Sequence, residues 1–297
     1  MLSEKRITVK RTVPFLLVGL LIFVGYLYFF VDIPEMLAVI QRVNLFYYSL
    51  AVVVLLLDML AYSLTWHYFL RPLSVKVPFR KTFLFSWIGV FVDLLIPAES
   101  ISGDATKAYL MSKDSGENAG KVVASVVSHR ILSMVIALSS LTISSISLFI
   151  LHYKLHAIVS NLILLVAVGT AISLFFIFLL CLKEQLTQKL IDLLLRFFVF
   201  ISRGRLKLTS LRAKATKALR AFHESIEVLG RNPRSLVRPA FFSIAGWLLS
   251  ISVSYLVFVS LGHPVNFILV AIVFSISVSI QVVPIGVPAA VGLVEIV

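Results

Sequence analysis

Asp104, Lys107 and Arg130 are the side chains whose types and spacing could do chemistry in this chain. Lys107 follows Asp104 by three residues, so a helix starting near Ser102 would put both on one face. The N-terminus of such a helix presents free N–H groups and the positive end of a dipole, which makes it an anion site, and phosphate is the obvious anion. Arg130 lies in Ser128-His129-Arg130 at the opening of an apolar run. Its guanidinium can bind phosphate through two parallel N–H bonds or pair with Asp104. A structural reading uses the same residues differently: Asp104 and Arg130 form an ion pair within the membrane that fixes the fold, and Lys107 extends toward headgroups. The two readings are compatible, because an ion pair can position a phosphate site.

Further candidates sit in two stretches that interrupt hydrophobic runs in the same way. The first runs from Leu95 through Pro97, Glu99, Ser102 and Gly103 to Asp104; the second runs from Val283 through Pro284, Gly286, Pro288 and Gly292 to Glu295. Each breaks an apolar run with proline and glycine and then places a carboxylate. A pair of such segments in corresponding halves points to a transporter with its site between two repeats. Gly103 belongs to the first site, and Glu295 is the second-half counterpart of Asp104. Asp93, four residues before Pro97, and Glu99, just after it, are ionisable groups at a depth where charge is costly, which suits proton or cation sites. Glu99 could equally cap the turn or face water. For Asp58, inside another apolar run, a hydrogen bond between packed helices is the expected role.

The elements that must position these residues follow from composition. Of 297 residues, 60% are hydrophobic and 14% charged, with a mean hydropathy of +1.03. That is more apolar side chain than a soluble domain could bury, so the chain reads as a polytopic membrane protein. Runs long enough to span a bilayer lie at 14–31, 45–66, 122–151, 158–182 and 237–261, with a shorter run at 83–97 and a broken one at 266–297. The first lacks a small-residue cleavage site and reads as a retained helix. The sequence stops at Val297 inside an apolar stretch with no basic flank, which raises the expectation that a final helix lies beyond it.

Charge sets the expected topology. Basic residues cluster at Lys5 to Arg11, at Arg71 to Lys81 and from Lys183 to Arg238, so these regions are expected on the cytoplasmic side of the plasma membrane. If 83–97 crossed fully, the next two spans would carry the 183–236 region outside with its dozen basic residues. A re-entrant hairpin over 83–110, turning near Pro97 to Gly103 and lining a polar cavity, keeps every basic loop on one side. The expectation is one integral membrane domain over 1–297, with 183–236 a cytoplasmic, basic, amphipathic helical insertion. Within it, Leu211, Ala215, Ala218, Phe222, Ile226 and Leu229 recur at a helical period, as do Leu186, Leu190, Leu193, Phe197 and Ile201. These helices suit either an anionic leaflet or a docked position under the bundle.

The formal charge of +13 is explained by topology and anionic headgroups rather than by nucleic acid. One cysteine, Cys181, excludes an intramolecular disulfide framework and any CxxC site. His152, Tyr153 and His156 lack the partners and spacing that would argue for metal, and no nucleotide-loop, hydrolase-elbow, zincin or dinucleotide fingerprint is present. No cofactor is expected.

The ordered run from Phe85-Ser86-Trp87 through Pro97, Gly103-Asp104, Lys107-Ala108-Tyr109 and Ser128-His129-Arg130 to Pro284, Gly292 and Glu295 resembles the flippase-like membrane domain of lysylphosphatidylglycerol synthases. The resemblance spans essentially the whole chain. It implies an all-α helical bundle with two re-entrant, broken hairpins in an inverted-repeat arrangement, and a role in moving or modifying lipids with charged or glycosylated heads. Ser102 stands where the family has one of two glycines, Lys107 where it has arginine, His129 where an acid is common, and Ala289-Ala290 where paired glycines are usual. No soluble aminoacyl-transfer domain follows within these residues, so aminoacyl-lipid synthesis is not the expected activity.

Translocation of a phosphate-bearing lipid or lipid-linked sugar is the leading functional expectation. The alternatives are a membrane-embedded headgroup transferase or hydrolase, with Asp93, Glu99 or Asp104 as base and His129 in support, and a non-catalytic accessory subunit. Expected partners are membrane lipids with anionic headgroups, a glycosyltransferase or lipid synthase docked on 183–230, and a second copy in a homodimer.

Overall fold

In hydrocarbon every backbone N–H and C=O must be satisfied internally, so apolar runs of bilayer length fold as helices. The structure, a computed structural model, describes residues 33–95, 101–152, 157–201, 208–263 and 265–282. Among them every element is helical: α1 (Ile33–Gln41), α2 (Leu45–Leu70), α3 (Phe79–Leu95), α4 (Ile101–Ser115), α5 (Ala119–Ile150), α6 (Ala157–Leu182), α7 (Glu184–Ile201), α8 (Leu208–Arg231), a 3-10 turn (Pro233–Leu236), α9 (Val237–Ser260) and α10 (Phe267–Val282). Among the described residues four helical stretches are long and apolar enough to cross a membrane: Leu45–Leu70, Ala119–Ile150, Ile163–Leu182 and Pro233–Ser260. Their outward faces carry exposed Leu55, Leu56, Ile143, Phe149, Leu164, Phe175 and Phe241, a surface compatible with lipid and not with water. The expected spans at 45–66, 122–151, 158–182 and 237–261 are therefore present as helices. The run at 14–31, the proline-broken segment after Val282, and Glu99 and Glu295 lie outside the described residues.

Polar residues mark where helices begin and end. Asn44 caps α2, its side-chain oxygen accepting from the Phe46 and Tyr47 amides at 3.1 and 3.5 Å, and Asn118 caps α5 by accepting from the Gly120 amide at 2.9 Å. Gly116, at a φ of 69°, supplies the left-handed residue that ends α4. Asn232 and Pro233 stop α8 and open the 3-10 turn.

The antiparallel pair α2 and α9 forms the frame. At one end the Asn44 amide donates to the Ser260 carbonyl at 2.8 Å, midway Ser250 donates to Asp58 at 2.7 Å, and at the other end Tyr68 stacks on Phe242 at 5.4 Å. Helices α5 and α10 meet through Ser140 and Ser275, 2.9 Å apart, and through Leu141, Leu148, Ile272 and Ile276.

Helices α3 and α4 form an antiparallel hairpin. At its open end Lys81 of α3 pairs with Asp114 of α4 at 2.7 Å. Near its tip the two backbones touch at Gly89 and Gly103. A Cβ added at Gly103 would collide with the Gly89 carbonyl and the Asp93 carboxylate, so only glycine admits this approach. The open end lies with the C-termini of α2 and α6 and the N-termini of α5 and α9, so Arg71, Lys81, Lys113, Lys121, Lys183 and Arg238 gather at one end of the bundle.

At that same end α8 is docked rather than lying apart. Its Leu219, Phe222 and Leu229 are buried in one core with Trp66, Phe69, Leu70, Met111, Val122 and Val126, and at Gly120 of α5 the Ala218 carbonyl approaches so closely that no side chain fits. Of the two positions open to an amphipathic helix here, the burial of its apolar stripe selects docking.

Candidate functional site

Asp58, Tyr62 and Trp66 recur every four residues on α2 and so share a face. Asp104 and Lys107 share a face of α4, and Ser125, His129 and Ser133 share one of α5, with Arg130 beside it. Packing brings these three faces together around Lys107, which is only 2% exposed. Its ammonium lies 2.7 Å from Asp104 Oδ1, donates to the Tyr62 hydroxyl at 2.9 Å, and sits 5.1 and 5.3 Å from the ring centroids of Tyr62 and Trp66. Charge pairing, a hydrogen bond and two π faces together compensate a desolvated cation.

The other oxygen of Asp104 accepts from Arg130 Nη1 at 3.2 Å. Asp104 thus bridges a buried ammonium and a guanidinium that is 18% exposed. His129 packs its ring on Tyr62 at 4.6 Å and near Phe69 at 6.5 Å, and Trp66 donates to Ser125 Oγ at 3.0 Å, tying α2 to α5. With one carboxylate and two cations, the trio carries a formal charge of +1.

This trio lines a cavity of about 520 Å³ that draws its walls from α2, α3, α4, α5, α9 and α10. Asp58, His129, Trp247 and Ser250 are further lining residues. Three others, Leu55, Trp87 and Val90, are exposed apolar side chains, so part of the cavity wall is of a chemistry that suits lipid.

The residues expected from sequence fall into three groups. Asp104, Lys107 and Arg130 are brought together, with Gly103 one residue away at the hairpin contact. Asp93 is elsewhere: its carboxylate accepts from Ser102 Oγ at 2.8 Å and from the Gly103 amide at 2.6 Å. It therefore caps α4 from across the hairpin, and the anion at the α4 N-terminus is the protein's own carboxylate, where phosphate was expected. The reason is geometric, since the hairpin folds Asp93 back onto the residues that follow the turn. Glu99 and Glu295 lie outside the described residues. Arg130 is not at a helix opening either, because α5 starts at Ala119, eleven residues before it.

Sequence reasoning missed Tyr62, the hydroxyl that holds Lys107, and Trp247. The four-residue rhythm of Asp58, Tyr62 and Trp66 on an otherwise apolar helix was the available signal for the first.

Among curated proteins the chain is similar to membrane proteins described as UPF0104. It is 24% identical over 270 residues to one from Pyrococcus horikoshii, covering 89% of this chain and 79% of that one. It is 24% identical over 260 residues to one from Methanothermobacter thermautotrophicus, covering 86% and 75%. A third, from Methanocaldococcus jannaschii, is 25% identical over 256 residues, covering 84% and 72%. No solved structure matches the chain significantly. The family profile described as lysylphosphatidylglycerol synthase TM region matches residues 16–297, almost the full length and every helix described above. The chain is an integral membrane protein that belongs to this family.

Proposed function

We propose that this protein moves a phosphate-bearing lipid headgroup across the membrane through the cavity beside Asp104, Lys107 and Arg130. The observation that carries the reading is that two cations, Lys107 and Arg130, bridged by Asp104, line a cavity of about 520 Å³ whose walls include exposed apolar side chains. A phosphate monoanion placed beside Arg130 and Lys107 gains Coulomb energy from these cations in a medium of low dielectric, while its tails stay in hydrocarbon. Arg130, the more exposed of the two cations, makes the phosphate contact. Lys107, enclosed by Asp104, Tyr62 and Trp66, holds the Asp104 carboxylate in place beside Arg130.

In this reading the α3–α4 hairpin dips into the bilayer and returns, with the basic end of the bundle cytoplasmic by the positive-inside rule. The Lys81–Asp114 pair at the hairpin's open end and the Gly103 amide donating to Asp93 near its tip suit a re-entrant element, whose polar groups must be met within the protein. The family's description names a synthase of a phosphate-bearing lipid, which is consistent with such a ligand.

The test is headgroup translocation in proteoliposomes, with labelled anionic phospholipids and a polyprenyl-phosphate sugar, for the wild type beside Asp104→Ala and Arg130→Ala. Protein-dependent movement lost in both variants is the expected result. Movement unchanged in both folded variants refutes the site. No movement of any lipid refutes translocation.

A further inference from the structure

The cavity that holds the charged trio also holds a carboxylate with no countercharge. Asp58 lies near the middle of α2, a helix long and apolar enough to span the membrane. Its Oδ2 accepts from Ser250 Oγ of α9 at 2.7 Å, and its Oδ1 lies against Gly246, where an added Cβ would be 3.3 Å away. Asp58, Gly246 and Ser250 all line the cavity, so the groups beside both oxygens border it. Among the described residues no ammonium or guanidinium pairs with this carboxylate. A charge at such depth is costly unless it is paired. The other titratable groups lining the cavity are Tyr62 of α2, Asp104 and Lys107 of α4, and His129 and Arg130 of α5, while the residues of α3, α9 and α10 that line it include none.

We propose that Asp58 is a proton-binding site, and that a proton taken up there accompanies the anion that enters the cavity. This rests on the phosphate-lipid reading above and adds its energy source, because a lipid anion and a proton then cross together. Charge balance makes the link. With Tyr62 and His129 neutral, the trio carries a formal charge of +1, and an ionised Asp58 brings the cavity to zero. Adding a phosphate monoanion to that state leaves one negative charge in excess, whereas adding it beside a protonated Asp58 leaves none. A cavity of about 520 Å³ is about 10 Å across as a sphere, and two like charges at that separation weaken binding about 15-fold for an effective dielectric near 20. Linkage is reciprocal, so the bound anion strengthens proton binding by the same factor. Ser250 already occupies Oδ2, and the absence of a side chain at Gly246 leaves Oδ1 open to receive the proton. When the headgroup leaves, Asp58 ionises and returns its proton to water on the side of release.

The experiment uses the full chain in proteoliposomes with trace labelled phosphatidylglycerol and a polyprenyl-phosphate sugar. Both are phosphodiesters that keep one negative charge from mildly acidic to mildly alkaline pH, so a pH dependence belongs to the protein. With the same pH on both sides, wild-type movement is expected to be about tenfold faster at the acidic end than at the alkaline end. With the outside made acidic, labelled lipid is expected to accumulate in the inner leaflet beyond protein-free vesicles, and a proton ionophore to abolish the accumulation. In Asp58→Asn, whose side-chain oxygen still accepts from Ser250, the rates at the two ends fall within about twofold of each other and accumulation is lost. Ser250→Ala removes the bond between α2 and α9, keeps the carboxylate, and retains the pH dependence. The rate readout is a ratio within each protein, so partial misfolding lowers both rates without changing it, and the gradient measurement on the wild type needs no variant. Wild-type movement without accumulation, a pH ratio in Asp58→Asn equal to wild type, or its loss in Ser250→Ala as well overturns the proton site and leaves the phosphate reading standing. No movement of either lipid overturns both.

Discussion

Replacing Asp104 with asparagine removes one charge from a site that has three. At 2.7 Å, Asp104 and Lys107 attract by about 6 kcal/mol for an effective dielectric near 20, and the 3.2 Å contact with Arg130 adds about 5 kcal/mol on the same basis. Most of that gain offsets the several kcal/mol needed to desolvate each ion, so the intact cluster contributes little net stability. Removing one partner has a larger effect than that net value. Lys107, 2% exposed, would keep its charge with only the Tyr62 hydroxyl and two ring faces around it. We expect Asp104→Asn to cost about 3–5 kcal/mol, the range for breaking a buried pair. Lys107→Met leaves Asp104 paired with Arg130 and should cost about 1–3 kcal/mol. The double variant should be more stable than Asp104→Asn alone, because the stranded ammonium is gone. The assay is the unfolding equilibrium of the full chain in mixed micelles, read by circular dichroism as a denaturing detergent is titrated in. An Asp104→Asn variant within about 1 kcal/mol of wild type, or a double variant whose loss is the sum of the two single losses, would refute the coupling.

Gly103→Ala drives a methyl into the Gly89 carbonyl and the Asp93 carboxylate and should cost about 1–3 kcal/mol or more by overpacking. Gly89→Ala, whose added Cβ lies 3.2 Å from the Gly103 carbonyl, should cost less; thermal unfolding of the two variants checks the order, and the reverse order contradicts the hairpin geometry. Asp93→Ala removes the cap of α4 at a cost of about 1–2 kcal/mol, visible as faster hydrogen exchange at the Gly103 amide. Gly120→Ala should loosen α8 from α5 and raise the rate of tryptic cleavage at Lys217 and Arg220 several-fold, whereas a helix resting on lipid alone would be cut at the wild-type rate.

Composition and hydropathy by themselves determined that this is a helical membrane protein and where its long spans run. The reason is that bilayer thickness and backbone satisfaction leave a chain this apolar few alternatives. The i, i+3 spacing of Asp104 and Lys107 was legible for the same kind of reason, since helix geometry is local. The basic clusters were legible too, and among the described residues the antiparallel packing of the helices brings Arg71, Lys81, Lys183 and Arg238 to one end. Local rules could not say what a side chain meets across the bundle. Whether the α4 N-terminus faces a ligand or Asp93 depends on the pairing of α3 with α4, which puts the Gly103 amide 2.6 Å from the Asp93 carboxylate. That Lys107 is enclosed by Tyr62 and Trp66 depends on how α2 crosses α4, and that α8 joins the core depends on a glycine at 120 meeting a carbonyl at 218. Periodicity names the face a residue occupies; only tertiary packing decides what lies against that face, and in this protein the difference separates a cap from a candidate binding site.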